Sequence, residues 1–225
     1  MQKTTKPSTV GTMILYASQT HGTRNLNALQ ENGFRILVTP DTYRGEKSLY
    51  WKDGTKFPYA MDNGAYGCHL RNEDFNFEKF EKMVLEAGEG ADWVVAPDIV
   101  GGGLASLEMS VSWRKHYDGR ALIAVQDGMR PKDVVNLLGP RTGIAVGGTT
   151  EWKLRNLPIW GKCASRAGCY LHILRVNSRK RLHACRIAGA HSTDGTNATI
   201  FSVKAPRMAA WADEAERQKP LGIWK

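Results

Sequence analysis

Short apolar runs alternate with longer amphipathic segments along most of the chain. Most of the runs are continuous in valine, isoleucine, leucine, alanine and aromatic residues, which is typical of parallel strands that are covered by helices. We predict strands at residues 13–18, 35–40, 57–62, 91–98, 121–127, 142–148, 170–176 and 190–195. A long polar loop is expected at residues 41–57.

Most of the gaps between these strands are long enough for one helix and its turns. Helical spacing of apolar residues predicts a helix over 74–90, which Asn76 caps, and a short one over 130–140 with Pro131 in its first turn. The other predicted helices are 23–33, 104–117, 150–163, 178–189 and 205–218. This rhythm predicts an α/β fold, a compact (β/α)₈ barrel of the TIM type, as one domain over residues 1–225. The absence of a GxGxxG motif after the first strand counts against a dinucleotide-binding sheet.

Polar or glycine residues close six of the predicted strands. In a barrel the carboxyl ends of the strands meet around one pocket, so these residues are expected to lie together. A single aspartate there is more often a helix cap or a turn residue. Independent capping is a poor explanation for so many successive strand ends, which carry Asp62, Asp98, Gln126, Gly147, Gly148, Arg175 and Asp194.

The net charge of the chain suggests a class of binding partner. The chain has 31 lysines and arginines against 22 acidic residues, a formal net charge of +9. A basic protein attracts polyanions, usually nucleic acid, although simple solubility also explains such a charge. The N-terminal residues show no apolar signal-peptide core and no apolar run approaches membrane-spanning length, so we expect a cytoplasmic protein with no membrane partner.

The four cysteines do not suggest a disulfide framework or a metal centre. No CxxC pair is present, and the only conceivable ligand set is Cys163, Cys169, His172, His183 and Cys185. Buried reduced thiols are the better explanation, so we expect no metal.

The strand-end residues suit a guanine-like base and a displacement at a sugar carbon. A carboxylate such as Asp98 accepts from the N1–H and exocyclic amine of guanine, and the Gln126 amide and Gly148 N–H serve its O6. Tyr66 offers an aromatic ring on which the base can stack. Asp194 and Asp62 remain for nucleophilic attack on C1′ and for proton transfer, which together allow a double displacement.

Six motifs in order resemble the tRNA-guanine transglycosylase superfamily: MDNGAYG, APDIVGGG, AVQDG, AVGGTTEWK, LRVNSRKR and HSTDGT. The resemblance covers roughly residues 13–210 and is strongest to the compact branch, found in bacteriophages and some bacterial gene clusters, that inserts 7-deazaguanine bases into DNA. It implies Asp194 as nucleophile and Asp62 as general acid/base. The base-recognition set that it implies is Asp98, Gln126, Gly147 and Gly148, with Tyr66 stacking on the base.

The chain departs from the tRNA enzymes in two places. Their zinc-binding insertion after the nucleophile strand is missing, because no cysteine follows Cys185, and Gly67 replaces the glutamine after the stacking aromatic. The first departure favours DNA over tRNA as the partner and leaves the oligomeric state open. The implied reaction exchanges guanine in DNA for a free 7-deazaguanine base such as preQ0. It needs no cofactor, because one glycosidic bond replaces another.

Basic residues near the same strand ends are candidates for phosphate contact: Arg175, Arg179, Lys180, Arg181 and Lys153. The alternative for the three consecutive ones is a solvated helix face. Trp51 and Trp152 are either core residues or wedges beside a flipped base. Three other functions stay open: a tRNA-guanine transglycosylase, a glycosylase that hydrolyses the bond, and a non-catalytic nucleic-acid-binding barrel.

Overall fold

Eight parallel strands close into a barrel in which each strand pairs with its neighbours in the sequence and β8 pairs with β1. The computed structural model describes residues 12–217. The predicted (β/α)₈ barrel is confirmed. Its strands are β1 Ile14–Ser18, β2 Arg35–Val38, β3 Tyr59–Met61, β4 Val94–Val95, β5 Ala121–Val125, β6 Thr142–Val146, β7 Leu171–Ile173 and β8 Ser192–Gly195.

Helices follow every strand except β2, which is followed by a loop with one 3₁₀ turn at Glu46–Leu49, and they cover the outside of the barrel. They are α1 Thr23–Glu31, α2 Ala65–Arg71, α3 Phe77–Ala87, α4 Gly103–Arg114, α5 Pro131–Val134, α6 Thr150–Ala167, α7 Arg179–Ile187, α8 Asn197–Ile200 and α9 Ala205–Arg217. The Asn76 side chain caps α3 by accepting from the Lys79 amide at 2.8 Å, as predicted. Pro131 occupies the first turn of α5, also as predicted.

The structure differs from the predicted elements at β4 and at two short helices. Strand β4 is only Val94–Val95, although a strand was predicted over 91–98, and Pro97 lacks the N–H that a longer ladder needs. The short helices α2 and α8 were not predicted. The N-terminal tail and the end of the last predicted helix, at residue 218, lie outside the described residues.

Two apolar layers hold the barrel together. The larger lies between the sheet and the helices, and the smaller fills the barrel interior with Tyr16, Leu37, Trp93, Val95 and Leu122 among others. Polar side chains enter the interior from β7 and β8, where His172 and Ser192 are both fully buried. Between residues 12 and 217, no helix combines the length and apolar character that a membrane span requires.

Candidate active site

The strand-end residues predicted from the sequence come together at the carboxyl rim of the barrel. Their charges act on one another: Asp194 and Asp98 both affect the pKa of Asp62, and Arg175 affects that of Asp98. The closing turns of β3, β4, β7 and β8 therefore contribute to one cluster of three carboxylates and a guanidinium. Such a cluster is the arrangement expected of a reactive site rather than of separate helix caps.

Asp62 follows β3 and is held in its ionised form only weakly. Its Oδ1 accepts a long hydrogen bond of 3.3 Å from the Gly64 amide. Burial of the carboxyl, reinforced by Asp194 and then Asp98, raises the pKa of Asp62 from 3.8 to about 7. The residue keeps a little surface at the rim, but protein atoms surround the carboxyl closely enough for desolvation to dominate. A carboxyl with this pKa is suited to give and take a proton near neutral pH.

Asp98 is oriented by Asn63, a residue that was not predicted to belong to the site. The Asn63 amide donates to Asp98 Oδ1 and to the Ala96 carbonyl, both at 2.7 Å, while its own oxygen accepts from the Ala65 amide at 2.8 Å. Asn63 therefore ties the ends of β3 and β4 to the start of α2. Burial raises the pKa of Asp98, against the opposing effects of Asn63 and Arg175.

Gln126, at the end of β5, is buried and bonded to the loop after β4. Its oxygen accepts from the Gly101 amide at 2.7 Å and its nitrogen donates to the Ile99 carbonyl at 2.8 Å. An amide nitrogen carries two hydrogens, so one donor remains for a ligand. The structure thus gives Gln126 a second task, which is to hold the loop that follows Asp98.

Of the two glycines at the end of β6, only Gly148 occupies a position where a side chain would cause strain. Gly148 has φ +71°, and a Cβ there would lie 2.4 Å from Asp127 Oδ2 and 3.0 Å from the Trp152 ring. A Cβ on Gly147 would meet nothing closer than 3.5 Å. Gly148 therefore keeps both a left-handed backbone and a close approach that no other residue allows without strain.

Asp194, on β8, is 6% exposed and is fixed through one oxygen. Its Oδ1 accepts from the Arg175 amide at 2.9 Å and lies 3.1 Å from His172 Nε2. Among the described residues, no hydrogen bond to its Oδ2 is found. From the sequence His172 was only a conceivable metal ligand, and its contact with Asp194 could not be predicted because a lone histidine within an apolar strand is typical of a core residue.

The peptide unit between Leu174 and Arg175 is clamped on both sides. Its N–H is the donor to Asp194, and its carbonyl accepts from the ammonium of Lys153. Arg175 has φ +59°, a left-handed conformation that is uncommon for a residue with a side chain and that costs free energy. The strained turn is thus held in place by Asp194 and Lys153, and it presents its amide to the carboxylate.

Lys153 lacks the solvent access that the predicted phosphate contact requires. It is 1% exposed, and its ammonium lies under the end of β7. Burial, aided by the positive charge of Arg175, lowers the pKa of Lys153 to about 8, although Asp194 opposes this shift. Its position on α6 is therefore that of an internal support for the rim.

Tyr66 and Arg175 cover each other at the mouth of the site. The guanidinium lies 4.0 Å from the centre of the Tyr66 ring and also donates to the Gly148 carbonyl. Tyr66 is 41% exposed on α2. A base that stacks on the covered face of the ring must displace the guanidinium, whose stacking contact it would replace.

The remaining basic residues of LRVNSRKR lie at the start of α7. Arg179 is exposed, but its guanidinium forms a two-pronged ion pair with Glu214 on α9. Lys180 is exposed and Arg181 is half-buried. The two tryptophans with open roles belong to the packing of the barrel: Trp51 is buried against Phe57, and Trp152 packs against the core beside Trp160.

The conceivable zinc ligands do not form a site. Cys163, Cys169 and Cys185 are buried, and burial raises the pKa of the Cys169 and Cys185 thiols to about 12. His172 faces Ser192 and Asp194 instead of a thiol. Within residues 12–217, no group of three or more histidine, cysteine or acidic side chains is placed to bind one metal ion.

Comparisons with known proteins support the fold but give no information on the reaction. No protein-family model matches the chain, and no curated protein matches it. Among solved structures, a mandelate oxidase in complex with 4-Br-2-hydroxy-methylphenylacetate has a TM-score of 0.56 at 12% identity, over 91% of this chain and 72% of the oxidase. At that identity the likeness extends to the barrel fold alone.

Proposed function

We propose that this chain is a base-exchanging enzyme that replaces guanine in DNA with a free 7-deazaguanine base. The observation that carries the proposal is the pairing of two unlike carboxyls at one rim. Asp62 has a pKa raised to about 7, and Asp194 is held through Oδ1 with its other oxygen unbonded in the described structure. Two carboxyl groups in different environments are what a glycosyl transfer with acid/base assistance requires.

In the first half of the reaction Asp194 attacks C1′ of the target nucleotide. The electron pair of the C1′–N9 bond leaves with guanine, which takes a proton from Asp62. In the second half the incoming base gives its N9 proton to Asp62 and attacks C1′, and the electron pair of the ester bond returns to Asp194. Each half uses Asp62 in the protonation state that the other half leaves behind, so the cycle closes without a cofactor.

Asp98 and the Gln126 amide support recognition of a guanine-type edge. Asn63 occupies one oxygen of Asp98, and the carboxylate has further acceptor sites for the base. The net charge of +9 supports a polyanionic substrate. Because Asp194 is almost buried, the target nucleotide must leave the base stack to reach it, at a cost of a few kcal/mol.

The testing experiment incubates the purified protein with duplex DNA and either radiolabelled guanine or preQ0, followed by nucleoside analysis. A parallel reaction contains tRNA. We expect label in DNA from the wild type and none from Asp194→Ala. Label in tRNA but not in DNA would show that the substrate is tRNA. Abasic sites without incorporation would indicate a hydrolase, and binding without any base release would indicate a non-catalytic barrel.

A further inference from the structure

A short chain of buried polar side chains crosses the barrel interior and ends on Asp194. Ser192 Oγ lies 2.7 Å from His172 Nδ1, and His172 Nε2 lies 3.1 Å from Asp194 Oδ1. Ser192 and His172 are fully buried, among the apolar residues that fill the rest of the interior. Burying such groups is costly unless each is hydrogen-bonded, so the arrangement calls for a reason beyond packing.

The chain of Ser192, His172 and Asp194 resembles a hydrolytic triad. Its serine and aspartate differ from those of a triad in which of them is exposed to a ligand. In a Ser-His-Asp triad the serine meets the substrate and the aspartate is buried. Here Ser192 has no exposed surface, and Asp194 is the member at the rim. The carboxylate is therefore the end of the chain that meets a ligand, and Ser192 lies behind it.

The hydrogen-bond directions follow from the acceptor at the rim. An ionised carboxylate only accepts, so His172 Nε2 must carry a hydrogen. In a neutral ring Nδ1 then accepts from the Ser192 hydroxyl. Lys153 is already a buried cation near the same carboxylate, and its charge interacts with that of Asp194. A second buried cation on the His172 ring beside it is unfavourable.

The ring plane is fixed by its aromatic neighbours. Trp93 lies 4.5 Å from the His172 ring centroid and Tyr16 lies 5.9 Å away, nearly perpendicular to it. The ring therefore has little freedom to rotate, and Nε2 stays directed at Asp194. Together with the Arg175 amide, it occupies Oδ1 from two sides.

We propose that His172 is a positioning residue: Ser192 holds it as a neutral ring protonated at Nε2, and it fixes Asp194 so that Oδ2 is the attacking oxygen. The role of Oδ2 rests on the proposed base exchange. In that reaction Oδ2 forms the bond to C1′, the electron pair of the breaking C1′–N9 bond leaves with the guanine, and the guanine takes a proton from Asp62. Oδ1 becomes the carbonyl oxygen of the ester, and its two donors favour return of the electron pair when the second base attacks.

Three substitutions separate positioning from packing. The amide of His172→Gln reaches toward Asp194 and is expected to keep kcat within about 10-fold of the wild type. His172→Leu removes both hydrogen bonds and is expected to lower kcat by about 100-fold with little change in KM for the free base, since misplacement of a reacting group has an effect of this size. Ser192→Ala is expected to fall between them. Thermal unfolding identifies any variant that fails to fold.

Wild-type kcat in a folded His172→Leu protein would overturn the proposal. So would a folded His172→Gln protein as impaired as His172→Leu. A rise in KM for the base at unchanged kcat would also contradict it, because that pattern belongs to lost base binding.

A second measurement does not depend on activity. In the ¹⁵N-histidine-labelled protein, long-range nitrogen–proton correlation spectra assigned with His172→Gln are expected to show a neutral His172 ring protonated at Nε2. A ring protonated at Nδ1, alone or in addition, overturns the proposed hydrogen-bond order even if base exchange occurs. The expected tautomer in a protein that exchanges no base would support the hydrogen-bond order and would instead reject the proposed function and, with it, the attacking role of Oδ2.

Discussion

The two carboxyl groups assigned to the chemistry lie in opposite surroundings on the same rim. On the β3 side, the backbone of Gly64, at 3.3 Å, and of Asn63 bonds to Asp62 too weakly to offset its desolvation, so the pKa of Asp62 rises to about 7. On the β8 side, Asp194 receives two donors, at 2.9 Å and 3.1 Å, on a single oxygen. One residue type thus has two different environments at one rim, and in the proposed reaction these environments suit Asp62 to carry a proton and Asp194 to act as the nucleophile.

The difference extends to the supporting backbone. Asp62 lies next to a loop that Asn63 ties to β4 and α2 by ordinary hydrogen bonds. Asp194 faces a left-handed turn at Arg175 that is clamped by a buried lysine. Strain in a protein persists only where the surroundings determine it strongly, so the β8 side is the more preorganised half of the site.

The largest expected effect comes from removing the charge of the proposed nucleophile, Asp194, while keeping the shape of its side chain. Asp194→Asn retains an oxygen that can accept from Arg175 and His172 but lacks the charge for attack. We expect base exchange to fall by about 10⁴-fold or more, as when other enzymes lose a nucleophile, while DNA affinity stays within a few fold. Filter binding and labelled-base incorporation measure the two quantities, and substantial exchange by this variant would reject the assignment.

Asp62→Asn tests the other half and has two opposite consequences. Loss of a general acid/base is expected to slow exchange by about 10²–10⁴-fold. At high pH, however, we expect the same substitution to increase the stability of the folded protein. Because the pKa of Asp62 is raised from 3.8 to about 7 in the folded protein, its stabilising contribution is present below about pH 4 and is lost as pH rises through 7.

The neutral asparagine escapes this loss. We therefore expect Asp62→Asn to be more stable than the wild type at pH 8, by roughly 1–4 kcal/mol, and the difference to shrink towards pH 4. Urea unfolding at several pH values measures it. A variant that is less stable than the wild type at pH 8 would show that the Asp62 carboxyl is not desolvated.

The double glycine of β6 offers a matched pair for the backbone. Gly148→Ala combines φ +71° with a Cβ 2.4 Å from Asp127, and it is expected to cost about 1–3 kcal/mol of unfolding free energy. Gly147→Ala meets only ordinary contacts and is expected to cost less than about 1 kcal/mol. Urea unfolding of both variants makes the comparison. Equal losses would show that the close approach at Gly148 does not determine its identity.

The smallest expected effects concern the basic start of α7. Lys180→Ala removes an exposed charge and is expected to weaken DNA binding a few fold and to reduce the slope of log K against log salt by about 1. Arg179→Ala should change that slope less, because Glu214 already pairs with the guanidinium. Salt titrations of both variants decide the matter, and a larger effect from Arg179 would mean that DNA displaces Glu214.

The barrel and the location of its rim follow from the sequence because continuous apolar runs, each closed by a polar or glycine residue, are a local pattern. Helix α2 escaped prediction since AYGCHLR lacks a clear apolar spacing. The residues that hold the site in place could not be predicted from the sequence, for a different reason. The burial of Lys153, the left-handed turn at Arg175 and the contact of His172 with Asp194 depend on pairs far apart in the chain. Asn63 likewise acquires its role only when β4 lies beside it.

The proposed covalent bond between Asp194 and the target nucleotide is tested most directly by trapping the intermediate. The protein is incubated with a guanine-containing DNA oligonucleotide, quenched in denaturant and digested, and the peptides are analysed by mass spectrometry. We expect a nucleic-acid adduct on the peptide that contains Asp194, present in Asp62→Asn as well and absent in Asp194→Asn. Base exchange without any adduct, or an adduct on another residue, would contradict it.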